Sequence, residues 1–184
     1  HFSWVDEYTW GCGGCEWVNH SWGGDALPLL LYNVGDHNAI ALFSGLSIFF
    51  AFLLTHKIFD SKFSYSSIAI ALAMLSSVHF VVTARLATIA PLLFVLLWIS
   101  LVKFSVKKYY YLWPGLFWVW AALHGSWIMA PALVLVFLIG KSFDKSWRSP
   151  ERKKVLLWLM ISLGATLLNP YGLDLWREVG AYMQ

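Results

Sequence analysis

Long apolar runs alternate with short polar connections along most of this chain. Runs near the length of a membrane-crossing helix, about 17–25 residues, cover 38–55, 66–83, 86–102 and 155–168, the last of which can be extended at either end. Residues 1–37 are instead polar, aromatic and Gly-rich. Within them, 26–34 is too short to cross and contains Pro28, so we expect a short helix lying at the membrane interface.

The apolar pattern over residues 109–140 predicts either one long kinked helix or two short crossings separated at His124-Gly125-Ser126. With two crossings, the connections 56–65, 103–108 and 141–154 all face one side. That side then receives 11 of the 13 basic residues: Lys57, Lys62, Lys103, Lys107, Lys108, Lys141, Lys145, Arg148, Arg152, Lys153 and Lys154. Basic connections are typical of the cytoplasmic side. We therefore predict two crossings here, or a deep re-entrant hairpin.

The predicted fold is an all-α polytopic membrane helix bundle of about six crossings. Residues 1–37 form an outer loop with its interfacial helix, 38–168 form the transmembrane bundle, and 169–184 form an amphipathic tail on the outer face. The chain is 59% hydrophobic and 12% charged, whereas soluble domains average about 45–50% and about 25%. We expect an inner-membrane protein in contact with lipid, with both terminal segments outside, and a fragment of a longer chain. No nucleic-acid partner is expected.

Asp6 and Glu7 form a carboxylate pair in the outer loop. A carboxylate beside a membrane can act as a general base toward an acceptor hydroxyl, or can bind a divalent metal ion. The alternative is a solvated acidic loop.

Cys12 and Cys15 form a CxxC pair in the same loop. On the outer side a local disulfide is the plainest interpretation, with free thiols as the alternative. A redox motif would need a βαβ setting, and haem attachment would need His where Glu16 stands. A zinc site would need two further ligands, for which His20 and His1 are candidates.

The segment Trp17-Val-Asn-His20-Ser-Trp22 puts an imidazole between two indoles. These side chains could stack on a sugar ring and hydrogen-bond its hydroxyls or a phosphate, or could simply anchor the chain at the interface. Arg85 lies at the outer end of a predicted crossing. Its guanidinium could bind a phosphate or a carboxylate, or it could extend to the outer lipid headgroups. His79, inside a crossing, is interpreted as a helix–helix hydrogen bond, and His56 as interfacial.

Two short motifs complete the outer face. Leu123-His124-Gly125-Ser126-Trp127 predicts a sharp turn with His124 facing an outer cavity, and Asn169-Pro170-Tyr171-Gly172 ends the last crossing. Residues 173–184 predict a short amphipathic helix along the outer surface.

The order of these motifs resembles the membrane half of bacterial polytopic glycosyltransferases of the GT-C class, which use polyprenyl-phosphate-linked sugars. The resemblance covers most of the chain. It implies that Asp6, with Glu7 as the alternate, acts as base or metal ligand. It also implies a lipid-phosphate site at Arg85, His20 and His124, with Trp17, Trp22 and Asn169 among the substrate-binding residues. Arg85-Leu86 departs from the Arg-Pro pair expected there.

Two other classes of function stay open. The chain could be a non-catalytic structural or assembly subunit that binds other membrane subunits through its outer aromatics. A transporter or channel is disfavoured because acidic residues are lacking inside the predicted crossings. An enzyme predicts that Asp6, His20, Arg85 and His124 converge on one cavity, whereas a scaffold predicts a scattered set.

Overall fold

The computed structural model describes residues 18–19, 21–59, 88–103, 109–144 and 149–181. All regular secondary structure in these ranges is helical, which confirms the expected all-α class. The elements are α1 (Trp22–Phe59), α2 (Ile89–Val102), a first 3-10 helix (Tyr109–Leu112), α3 (Trp113–Leu123), a second 3-10 helix (Gly125–Ile128), α4 (Met129–Ser142), α5 (Ser149–Thr166) and α6 (Asp174–Ala181). The predicted crossing 66–83 lies outside the described residues.

Helix α1 is interrupted between the two segments that the apolar pattern distinguishes. Gly35 has φ −164° and ψ 35°, and Asp36 has φ 51° and ψ −151°. With ψ −151°, Asp36 lies outside the left-handed helical region that Asp tolerates, so its backbone is strained where this pair breaks the helix. A separate helical segment therefore precedes the break and begins at Trp22, and the predicted position of 26–34 at the membrane interface stays a prediction.

The predicted break at His124 is also observed. His124 is extended, with φ −160° and ψ 136°, and it separates α3 from the second 3-10 helix and α4. Helix α5, by contrast, begins at Ser149, six residues before the predicted apolar run. The extra turns take in Glu151 and three basic residues, which are good helix formers on the exposed side of a helix.

The helices pack through stripes of small and hydroxyl-bearing residues. Helix α1 packs on α2, α3 packs on α5, and α2 also contacts α3 and α4. The buried positions follow the i, i+4, i+7, i+11 spacing of one helix face in both α1 and α5: Ile40, Ser44, Ser47 and Ala51, then Val155, Leu159, Ser162 and Thr166. Small residues let helix backbones approach closely, as is typical of helix contacts in lipid.

The exterior is strongly apolar. Exposed large side chains occur along most of the described helices, among them Val34, Leu42, Phe50, Leu112, Val136, Ile139, Leu157, Met160 and Leu168. Two helical segments of the described ranges, Trp22–Lys57 and Gly125–Ser142, are long and apolar enough to cross a membrane. Helix α2, with 14 residues, is about 21 Å long at 1.5 Å per residue, which is shorter than a hydrocarbon core of about 30 Å.

Candidate functional site at the aromatic end

The C-terminal end of α3 meets the start of α1. A Cβ added to Gly23 would lie 3.1 Å from the Ala122 carbonyl oxygen, and one added to Gly24 would overlap the Leu123 carbonyl oxygen. Only glycine permits such a close approach of the two backbones. The contact brings Trp22 against Trp118, with ring centroids 6.1 Å apart in an edge-to-face arrangement.

His124 follows directly on this contact and forms the corner between α3 and the second 3-10 helix. Its Nδ1 accepts a hydrogen bond from the Ser126 backbone N–H at 3.0 Å and lies 2.8 Å from the Ser126 hydroxyl. The same hydroxyl accepts from the Trp120 indole N–H at 3.1 Å. Because Nδ1 is an acceptor, the ring proton of neutral His124 resides on Nε2, which makes Nε2 the donor of this half-buried imidazole.

Asn169 shapes the turn that follows α5. Its amide nitrogen donates to the carbonyls of Thr166, at 2.7 Å, and Gly172, at 3.2 Å, while its amide oxygen accepts from the Tyr171 N–H at 2.7 Å. Gly172 adopts φ 55°, a left-handed conformation in which glycine is favoured. The Asn169 side chain is thus fully occupied as a donor, and it retains acceptor capacity only on its oxygen.

Indole rings join these two corners. Trp118 of α3 donates through its Nε1 to the Leu168 carbonyl, one residue before Asn169. Trp176 of α6 donates to the Thr166 hydroxyl at 3.0 Å and packs on Trp127, with ring centroids 5.2 Å apart. We call the set Trp22, Trp118, His124, Trp127, Asn169 and Trp176 the aromatic end.

Trp127 is a buried donor at the aromatic end whose acceptor is missing from the described residues. Trp127 is 1% exposed, and its Nε1 makes no hydrogen bond there. An unmet buried donor costs about 1–3 kcal/mol, so such groups point to strain or to a site. The sequence pattern did not assign roles to Trp118, Trp127 or Trp176. The amphipathic spacing of the tail was the available signal for Trp176, since Leu175 and Val179 are its buried residues.

The structure brings together three of the predicted site residues, Trp22, His124 and Asn169, at the aromatic end. The other predicted site residues lie outside the described residues: Asp6, Glu7, Cys12, Cys15, Trp17, His20 and Arg85. Within the described ranges no group of three or more His, Cys, Asp or Glu side chains is arranged to hold a metal ion.

The opposite end of α3 has a different chemistry. The Trp113 indole donates to the Ser100 hydroxyl at 2.7 Å, linking α3 to α2. Lys154 of α5 lies 4.4 Å from the centroid of the Tyr110 ring, and Trp158 packs on the same tyrosine. A hydrogen bond with Tyr110 raises the pKa of Lys154, against a smaller opposing effect of desolvation. We call the set Lys57, Lys103, Tyr110, Trp113, Lys154 and Trp158 the basic end.

Comparison with protein-family models, curated proteins and solved structures finds no match to this chain.

Proposed function

We propose that the chain is an integral membrane protein of about six crossings, with its aromatic end on the outer face and its basic end in the cytoplasm. The apolar exterior and the buried serines and threonines support a lipid setting, because large apolar side chains face outward and small polar ones face inward. The charge distribution supports the orientation. Lys57, Lys103 and Lys154 belong to the basic end, whereas Arg177 is the basic residue nearest the aromatic end in the described chain.

We further propose that the aromatic end binds the phosphate and sugar of a polyprenyl-phosphate-linked donor, as in a GT-C-like glycosyltransferase. The observation that carries this proposal is that Trp22, His124 and Asn169 lie at one end of the packed helices. The His124 Nε2–H would donate to a phosphate oxygen, and the indoles would stack on the sugar. Asp6 would serve as base or divalent-metal ligand, and Arg85 and His20 would complete the phosphate contacts.

Binding of the lipid phosphate alone tests this site without knowledge of the sugar. The full chain in detergent would be titrated with a long-chain polyprenyl phosphate, and bound lipid would be counted by native mass spectrometry. Replacing His124 by Gln should weaken binding about tenfold, the value of one charge-assisted hydrogen bond. His56→Gln is the matched control at the other end of the molecule and should bind as wild type. Equal binding by both variants would contradict the proposal.

A specific observation also favours the second candidate function, a non-catalytic subunit of a membrane complex. Asn169 and the Nδ1 of His124 are occupied by their own turns, so turn formation alone accounts for these residue types. In that case polyprenyl phosphate should not bind. The chain should instead copurify with a defined membrane partner that covers its exposed apolar surface.

A further inference from the structure

A groove runs between α1, α2, the first 3-10 helix and α3, close to the basic end. Its volume is about 600 Å³, and its lining includes Leu54, Leu93, Ile99, Leu112 and Gly115. This volume falls in the range of ligand-binding pockets, about 300–1,000 Å³. The groove is separate from the aromatic end, because its lining contains none of the residues that define that end.

The lining is suited to hydrocarbon. Ser100 and Tyr109 contribute its hydroxyl groups, and the other lining side chains that the structure describes are apolar. The Ser100 hydroxyl is already occupied, since it donates to the Leu97 carbonyl at 2.7 Å and accepts from Trp113 at 2.7 Å. Beyond the Tyr109 hydroxyl, a polar ligand would find few groups to replace its lost hydration, whereas an acyl chain needs no hydrogen bonds.

Two lysines follow residues that line the groove by about one helical turn. Lys57 lies three residues after Leu54 on α1, and Lys103 lies four residues after Ile99, with its backbone N–H bonded to the Ile99 carbonyl at 3.0 Å. Residues three and four apart share a helix face, so both lysines continue the faces that line the groove. Both are exposed, and the described lining contains no acidic residue.

We propose that this groove binds one acyl chain of an anionic phospholipid whose headgroup phosphate is held by Lys57 and Lys103. The charge complementarity selects the occupant: an apolar groove whose lining helices each carry an exposed lysine about one turn beyond it fits a lipid with a negative headgroup. The inference rests on the proposed membrane location. It is independent of the donor site, because it uses no residue of the aromatic end.

The test uses the full chain in mixed micelles that contain equal amounts of phosphatidylglycerol and phosphatidylcholine with identical acyl chains. Native mass spectrometry counts the lipids retained. Wild type should retain phosphatidylglycerol in preference. Gly115→Leu should abolish this retention, because Gly115 lines the groove and has open space around its Cβ position. Gly140→Leu is the matched control: it also lies in a helix with nothing near its Cβ position, but outside the groove.

A double variant, K57Q/K103Q, separates the headgroup from the chain. Near a membrane surface each lysine should contribute about fivefold in affinity for an anionic lipid. The double variant should therefore lose the preference for phosphatidylglycerol while still retaining one lipid of either kind.

Three results would overturn the inference. These are equal retention by Gly115→Leu and wild type, an unchanged preference in the double variant, and retention of a second copy of the chain instead of lipid. A chain that fails to sediment with membranes would overturn the membrane proposal as well. A chain that inserts and binds polyprenyl phosphate but retains no phosphatidylglycerol would overturn the groove alone.

Discussion

The two ends of α3 both use tryptophan to join helices, but their other polar side chains form different contacts. At the basic end, the Trp113 indole bonds to Ser100, 13 residues away, and Lys154 of α5 packs on Tyr110, so polar groups hold separate helices together. At the aromatic end, indoles again join helices, but the imidazole of His124 and the amide of Asn169 bond within their own turns. Tryptophan therefore joins the helices at both ends, whereas His124 and Asn169 at the aromatic end stabilise the turns in which they lie.

The largest expected effect is at the aromatic end, where α1 touches α3. Gly24→Ala places a Cβ against the Leu123 carbonyl, a backbone atom that cannot rotate away. We expect a loss of about 3 kcal/mol in the free energy of unfolding, the upper part of the range for overpacking.

Unfolding in detergent by a denaturing-surfactant titration measures this loss. The control, Gly45→Ala, lies in the same helix with nothing within 4 Å of its Cβ position. It should gain up to about 1 kcal/mol from helix propensity. Equal effects at the two glycines would show that the close contact does not hold the start of α1 against the end of α3.

Next in size is the loss of one indole hydrogen bond at each end. Trp113→Phe should cost about 2 kcal/mol and Trp120→Phe about 1 kcal/mol, because the Ser100 bond is shorter and more buried than the Ser126 bond. A double-mutant cycle of Trp113→Phe with Ser100→Ala would isolate the bond from the lost ring volume. A coupling free energy near zero would show that the hydrogen bond between Trp113 and Ser100 does not stabilise the basic end.

The turn at His124 should contribute less to the free energy of unfolding. His124→Ala removes the side chain that accepts from the Ser126 N–H and should cost about 1 kcal/mol, as for other capping residues. His124→Asn offers an amide oxygen in a similar position and should recover part of this stability. If Asn and Ala destabilise equally in thermal unfolding, the imidazole does not act as a cap.

The smallest effect should come from Lys154. Its raised pKa means that the charged form is favoured in the folded state. The resulting stabilisation is complete below the ordinary lysine pKa and is lost as the pH rises through the raised value. Lys154→Gln should therefore flatten the alkaline decline of the melting temperature. Lys153→Gln, at an exposed neighbouring position, should leave that decline as in wild type.

The helical class and two breaks could be predicted from the sequence because their signals are local. Gly35-Asp36 and His124-Gly125 interrupt apolar runs, and both interrupt helices in the structure. An extension of the run 155–168 was expected, but its start at Ser149 could not be predicted, because hydropathy does not register charged residues that are good helix formers.

The site was harder to predict than the fold. Apolar runs do not reveal that α6 returns Trp176 to Trp127, since that contact joins residues 49 positions apart in sequence. The local motifs identified His124 and Asn169 correctly as turn residues, and the structure adds which backbone groups each one binds.

The central claim is that the aromatic and basic ends lie on opposite faces of a membrane, and single-cysteine labelling tests it most directly. In a C12S/C15S background, Leu173→Cys would report the aromatic end and Lys153→Cys the basic end, both at exposed positions. A membrane-impermeant maleimide applied to intact bacterial spheroplasts should label the first variant at once and the second only after lysis. Labelling of both variants from the same side, or recovery of the chain outside the membrane fraction, would contradict the account.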